Sequence, residues 1–112
     1  MTRWLVVAAL IAVGCSGGGS STMSHDQLES ELRQLRSLDA ETGLMEEVMA
    51  MRRVTRRFAR GHANYLRQAA HELVQELAQA KPEPGDATAL ARAHADAVRL
   101  EERFVALLLR LR

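Results

Sequence analysis

The sequence predicts a small all-α protein, an antiparallel helical bundle that follows an apolar N-terminal segment and a Gly/Ser-rich stretch. Three observations predict this fold class. From Ser24 onward the chain is rich in Ala, Leu, Glu, Arg and Gln, which are strong helix formers. No stretch alternates apolar and polar residues with the period of two that marks a half-buried strand. One segment, Lys81-Pro82-Glu83-Pro84-Gly85, clearly stops a helix, because proline pushes its predecessor out of the helical conformation.

The first helix is predicted to begin at Ser24. Ser24 and Gln27 have the spacing of a capping box, in which each side chain bonds to the backbone of the other residue. Residues 37–43 are an ambiguous boundary: Asp39 or Thr42 would cap a second helix there, whereas the lack of proline favours one continuous helix. The apolar positions that follow Ser24 at helical spacing are Leu28, Leu32, Leu35 and Leu38.

A second helix is predicted from about Ala40 to Ala80, because an apolar stripe continues along this segment with helical spacing. Gly61 lies inside it, and a glycine there costs about 1 kcal/mol relative to alanine. We therefore expect three helices, or four if Gly61 breaks the long helix. The stripe consists of Leu44, Val48, Met51, Phe58, His62, Tyr65/Leu66, Ala69/Ala70, Leu73 and Leu77.

The last helix is predicted from a cap at Asp86 through Leu111, and the short turn before it makes it antiparallel to the second helix. Its end is apolar on all sides, which predicts a homodimer or a protein partner bound through the C-terminal helix. Folding back also places Glu101 about one turn from His62. Because buried carboxylates need partners, we expect a buried polar pair of His62 and Glu101, with Tyr65 as the alternative partner of Glu101.

An arginine cluster at the centre of the chain is a candidate interaction face. On one continuous helix most of its members would lie on one side, facing lipid phosphates, lipopolysaccharide or an acidic partner. The alternative is a solvated face that is paired internally, because a folded-back first helix would bring Asp26, Glu29 and Glu31 close to it. The cluster consists of Arg52, Arg53, Arg56, Arg57 and Arg60.

Met45, Met49 and Met51 are the candidates for a metal site, since soft thioethers suit Cu(I). Packing in the core is the alternative role for these methionines. Small exported bundles of cytochrome b562 type bind haem through methionine and histidine, but no ligand pair aligns here and the C-x-x-C-H motif is absent from the sequence. We therefore predict no cofactor, and keep a periplasmic copper or haem-binding bundle as the alternative function.

Catalysis and nucleic-acid binding are both disfavoured. The sequence contains no nucleophile with an associated base and no phosphate-binding loop, so we do not expect an enzyme. The chain has 15 Lys and Arg against 14 Asp and Glu, and loss of Arg3 with the N-terminal segment would leave it neutral. A neutral chain lacks the basic excess typical of a general nucleic-acid binder.

The N-terminus has the order of a secretion signal: Arg3, an apolar run from Trp4 to Gly14, the only cysteine, and then glycine and serine. The run of about ten residues suits the apolar part of a signal peptide and is shorter than the ~20 that span a bilayer. Ala12-Val13-Gly14-Cys15 resembles the lipobox of bacterial lipoproteins, with Ala12 where that family prefers leucine. The resemblance implies cleavage between Gly14 and Cys15 and lipidation of Cys15.

These observations predict three regions: a signal peptide at residues 1–14, a lipidated cysteine and flexible tether at 15–23, and a helical domain at 24–112. The predicted function is a membrane-anchored bacterial lipoprotein with a protein-interaction or structural role at the cell envelope. The residue after the cysteine is Ser16 rather than Asp. By analogy with enteric lipoproteins, this favours the outer membrane, facing the periplasm, over the inner membrane.

Overall fold

The computed structural model describes residues 22–112 and confirms a small all-α bundle. Three helices pack against one another in this part of the chain, and two very short strands accompany them. The predicted signal peptide and most of the predicted tether lie outside the described residues. The elements in chain order are β1 (Thr22–Met23), α1 (His25–Ala50), α2 (Arg56–Gln79), β2 (Lys81–Pro82) and α3 (Ala87–Arg110).

The start of α1 forms the predicted capping box. The Ser24 N–H donates to Gln27 Oε1 at 2.8 Å, and the Gln27 N–H donates to Ser24 Oγ at 3.1 Å. The helix then continues without interruption through residues 37–43, so neither Asp39 nor Thr42 is a cap. The Thr42 side chain is buried, and its hydroxyl donates to the Leu38 carbonyl at 2.8 Å inside the helix.

The boundary between the first two helices was predicted wrongly. α1 ends at Ala50, and α2 begins at Arg56 rather than near Ala40. Arg52 has a φ of 54°, a left-handed conformation that ends the helix without glycine or proline. Thr55 is the N-cap of α2, and its hydroxyl accepts from the Phe58 N–H at 3.1 Å. Gly61 lies inside α2, which remains continuous, so the described part of the chain has three helices rather than four.

The core of α2 follows the predicted stripe at Leu66, Ala70, Leu73 and Leu77. Before Leu66 it lies one helical position away, at Ala59 and Ala63. Leu44, Met51, Phe58 and Tyr65, four members of that stripe, are exposed. Alanine allows close approach of two backbones, and the most extensive helix packing is between α2 and α3. The buried residues of α2 are Ala59, Ala63, Leu66, Ala70, Leu73 and Leu77, and those of α3 are Leu90, Ala93, Ala97, Leu100, Phe104 and Leu107.

The turn between α2 and α3 contains the predicted stop. Gly85 has a φ of +92°, which glycine adopts at low cost. Asp86 occupies the N-cap position of α3 but makes no capping hydrogen bond with its side chain, contrary to expectation. β1 pairs with β2 in parallel, Thr22 with Lys81 and Met23 with Pro82. The last two residues of the predicted tether are therefore joined to this turn.

Among the helices of residues 22–112, none combines the length and the apolar character that a membrane crossing requires.

Candidate functional site

The arginine cluster lies at the end of the bundle where α1 stops, α2 starts and α3 stops. The prediction that these arginines share one side of a continuous helix is wrong. Arg52 and Arg53 belong to the loop between α1 and α2, and the start of α2 contains Arg56, Arg57 and Arg60. The end of α3 adds two arginines that the prediction omitted. We call this set the arginine tip; its members are Arg52, Arg53, Arg56, Arg57, Arg60, Arg110 and Arg112.

The proposed pairing of the cluster with the first helix is wrong. Asp26, Glu29 and Glu31 lie near the start of α1, which is 26 residues and therefore about 39 Å long, whereas the cluster lies at its far end. Residues 50–61 and 104–112 contain all seven arginines of the tip and no Asp or Glu. In the described part of the chain, Arg110 is the one member within 4 Å of a side-chain carboxylate, at 3.8 Å from Glu46.

Two members of the arginine tip stabilise the end of α3. Arg60 Nη2 donates to the backbone oxygen of Leu111 at 2.7 Å, and Arg56 Nη1 donates to that of Arg112 at 3.2 Å. The last carbonyls of a helix have no partner within it, and the helix dipole favours cations beside them. Arg56 and Arg60 therefore hold α2 and α3 together at this end.

The arginine tip borders two open clefts that share no lining residue. The larger, of about 870 Å³, has Arg57, Arg60 and Arg112 on its walls and Leu108 and Gly61 among its other lining residues. The smaller, of about 530 Å³, is lined by Arg52, Arg56 and Arg110 with Met49, Val54, Ala59 and Leu111. Each cleft therefore combines three guanidinium groups with apolar surface. This chemistry suits an anion that carries an apolar part.

Exposed apolar side chains lie among these arginines. Met51, Phe58 and Leu109 are 47%, 57% and 54% exposed, and each is adjacent in sequence to an arginine of the tip. Phe58 also begins a stack along α2: its ring centroid lies 5.8 Å from that of His62, which lies 6.4 Å from that of Tyr65. The end of the bundle is therefore both cationic and partly apolar.

Charge is distributed unequally along the bundle. The half nearest the arginine tip, residues 38–67 and 99–112, contains ten arginines and six carboxylates. The half nearest Thr22, residues 22–37 and 68–98, contains four basic and eight acidic residues. We call them the tip half and the tether half. Although the two halves together are neutral, the molecule has a positive and a negative end.

The predicted buried pair of His62 and Glu101 is wrong, because the structure gives each residue another partner. His62 Nε2 lies 3.4 Å from Glu41 Oε2 of α1, and Glu101 Oε2 lies 2.7 Å from His71 Nδ1. Both pairs are partly exposed and join neighbouring helices. The error has two sources: Leu100 and Phe104 rather than Glu101 face the core from α3, and Ala63 rather than His62 faces it from α2.

At the tether half, His25 bonds to the residue that was expected to cap α3. His25 Nδ1 lies 3.2 Å from both carboxylate oxygens of Asp86. The Asp86 carboxylate raises the pKa of His25 above 6.5, and Glu29 and Asp26 add smaller effects. This contact lies beside the β1–β2 pair, so two interactions join the start of α1 to the turn between α2 and α3.

Glu31 is the most unusual carboxyl group of the described chain. Its Oε2 atom is buried and has no hydrogen-bond partner among residues 22–112. Burial raises the pKa of Glu31 to about 7, and the nearby Glu76 carboxylate adds to the rise. It lies on the same helical stripe as the buried residues Leu28, Leu35 and Leu38.

The three methionines proposed for Cu(I) have different environments. Met45 is buried in the core, Met49 is partly buried against it, and Met51 is exposed at the end of α1. The first two therefore have the packing role that was the alternative. Among residues 22–112, His, Cys, Asp and Glu form no group of three that suits a metal ion.

The apolar end of α3 is mostly part of the core. Leu107 and Leu111 are buried and Leu108 packs partly against the core, which leaves Val105 and Leu109 as its large exposed side chains. The predicted cleavage and lipidation residues, Gly14 and Cys15, lie outside the described residues. Comparisons of the chain with protein-family models, curated proteins and solved structures find no match.

Proposed function

We propose that this chain is a bacterial envelope lipoprotein, anchored through Cys15, whose helical bundle has a structural or protein-interaction role. The observation that carries the proposal is the N-terminal order of Arg3, an apolar run, Ala12-Val13-Gly14-Cys15 and a Gly/Ser stretch. The Gly/Ser composition of residues 16–21 supports it as well, because an anchored domain needs a flexible tether. Ser16 after the cysteine favours the outer membrane.

The interaction role is supported by the surface of α3. Val105 and Leu109 are exposed and one helical turn apart, so they form a small apolar strip on the outside of the bundle. A protein partner or a second copy of the chain would cover this strip. The salt bridges of Arg103 with Asp39 and Glu46, at 2.9 and 2.5 Å, hold α3 to α1 and so stabilise the helix that carries it.

The anchor is tested by metabolic labelling with radioactive palmitate in a Gram-negative host. The wild-type chain is expected to incorporate label, whereas Cys15→Ser is expected to incorporate none. Ser16→Ala serves as the control and keeps the label. Label retained in Cys15→Ser, or absent from the wild-type chain, would reject the anchor.

The interaction role is tested by photocrosslinking in cells from a reactive residue placed at Leu109. A defined adduct is expected from this position and not from the exposed Ala89 at the other end of α3. Adding Val105→Glu should remove the adduct and leave the helical circular dichroism signal unchanged. The α3 strip is not an interaction surface if positions 109 and 89 give the same products.

A further inference from the structure

We propose that the arginine tip binds the phosphate groups of an anionic lipid surface, as a second membrane contact at the end of the bundle opposite Thr22. The inference rests on the proposed function and deepens it by assigning a ligand to the arginine tip. The binding itself depends on the described residues alone. It can therefore be tested without Cys15.

Composition of the tip is the first argument. Its seven cations include no lysine, and the one lysine of the chain, Lys81, lies in the tether half. A guanidinium group binds phosphate through two parallel hydrogen bonds and loses its hydration more readily than an ammonium group. Arginines without carboxylate partners are therefore available for external phosphates, and Arg52, Arg53 and Arg57 have none within 4 Å among the described residues.

Exposed apolar side chains at the same end are the second argument. Surfaces that bind to the interface of a bilayer combine cations for the headgroups with apolar side chains that enter the acyl boundary. Met51 and Phe58 provide the apolar component beside Arg52 and Arg57. A purely acidic ligand would provide no apolar contact for the exposed phenylalanine and methionine among these arginines.

The form of the two clefts is the third argument, and it favours a lipid surface over an acidic peptide. Both are open, they share no lining residue, and each has three arginines beside apolar walls. A single acidic peptide bound in one cleft would leave the three arginines of the other cleft without acidic partners. A lipid surface presents many phosphates that move laterally, so all the arginines can be paired without a single complementary shape.

Vesicle binding by residues 16–112 tests the proposal. This chain retains every core residue of the described part of the protein. We expect binding to phosphatidylglycerol vesicles and at least tenfold weaker binding to phosphatidylcholine vesicles. Each basic residue close to an anionic surface strengthens binding about fivefold, so Arg53→Gln, Arg57→Gln and Arg112→Gln together should weaken it about 100-fold.

The matched control removes the same charge from the tether half: Arg33→Gln, Arg36→Gln and Arg92→Gln. All six arginines are exposed and none is in an ion pair among residues 22–112. The control should weaken binding less than fivefold, and circular dichroism checks that both triple variants stay folded. Equal loss in the two variants would show a net-charge effect, and absence of binding by the wild-type chain would also overturn the proposal.

A fluorescent reporter tests the orientation. Residues 16–112 contain no tryptophan, since the only one in the chain is Trp4. The emission of Phe58→Trp should move to shorter wavelength with phosphatidylglycerol vesicles, whereas that of Gln34→Trp in the tether half should not. Equal shifts at both positions would overturn the assignment to the tip.

Polyglutamate, a carboxylate competitor, and lipid A vesicles complete the test. Release of the bundle from phosphatidylglycerol by polyglutamate at equal charge concentration would overturn the proposal in favour of an acidic protein. Binding to both lipids supports phosphate as the common ligand, and a preference for one identifies its source. Failure of these assays with palmitate labelling intact would reject the second contact and leave the anchored lipoprotein standing.

Discussion

Single carboxylates and imidazoles determine how this bundle responds to pH. Glu31 is the clearest case, because its buried oxygen lacks a partner while its pKa is raised to about 7. Protonation of a buried acid removes the cost of an unsolvated charge. The packing of α1 against its neighbours is therefore more favourable when Glu31 is neutral.

Glu31→Gln is expected to stabilise the protein at pH 8 by about 1 kcal/mol, after allowing for screening of the exposed part of the side chain. The folded-state pKa lies above the unfolded value of about 4.5, so stability is fully present below pH 4.5 and is lost as the pH rises through 7. Urea unfolding of variant and wild type between pH 4.5 and 8 measures the difference. A stability gap that is independent of pH would contradict the assignment.

The His25–Asp86 contact gives a second residue-scale prediction. Asp86→Asn should lower the pKa of His25 toward 6.5, because the Asp86 carboxylate is the largest cause of its rise. Glu29→Gln should lower it less, since Glu29 has a smaller effect. Titration of the His25 ring protons by NMR measures both shifts. If Glu29→Gln lowered the pKa of His25 more than Asp86→Asn does, Asp86 would not be the main partner of the His25 imidazole.

At the scale of the helices, the glycines differ in what they tolerate. Gly43 and Gly61 lie inside α1 and α2, and a Cβ atom at either position would meet nothing within 4 Å beyond the adjacent residues and the local backbone of its own helix. Gly43→Ala and Gly61→Ala should each stabilise the protein by about 0.5–1 kcal/mol, because alanine favours the helix and restricts the unfolded chain.

The matched comparison is Gly85→Ala. Gly85 also has open space around it but has a φ of +92°, so alanine there should destabilise the turn by about 1 kcal/mol or more. Thermal unfolding of the three variants measures the contrast. If Gly61→Ala were destabilising as well, α2 would not be a regular helix at that position.

Helix ends marked by side chains that cap or break a helix were predictable from the sequence. The capping box at Ser24 and the stop before Gly85 were both located. The break after Ala50 was not, because Arg52 adopts its left-handed conformation without glycine, asparagine or proline. Thr55, an N-cap residue three positions before Phe58, was the one local signal of a new helix.

The same missed break explains the errors about the site. With one long helix, the spacing from Met51 to Phe58 suggested a continuous stripe, although these residues are exposed and alanines face the core. It also placed the acids of the first helix beside the arginines. Composition identified the arginine cluster correctly, whereas Arg110 and Arg112 required the three-dimensional fold.

At the scale of the whole molecule, one core cluster includes residues of all three helices. We therefore expect a single cooperative unfolding transition, as is usual for domains of this size. Urea titration of Phe58→Trp in residues 16–112 should give coincident curves from tryptophan emission and from circular dichroism. If the tryptophan emission changed at a lower urea concentration than the circular dichroism signal, the tip half would unfold separately. Gln34→Trp provides the same comparison for the tether half.

The parallel pairing of Thr22 and Met23 with Lys81 and Pro82 determines how a mechanical pull on the N-terminus is transmitted. Force applied before Thr22 reaches β1 first, and its hydrogen bonds pass part of the load to the segment between α2 and α3. The His25–Asp86 contact is next to it and carries load to the start of α3. The start of the described chain is therefore bonded to both ends of the turn between α2 and α3. Tension then acts on the bundle as a unit before α1 can separate from the other helices.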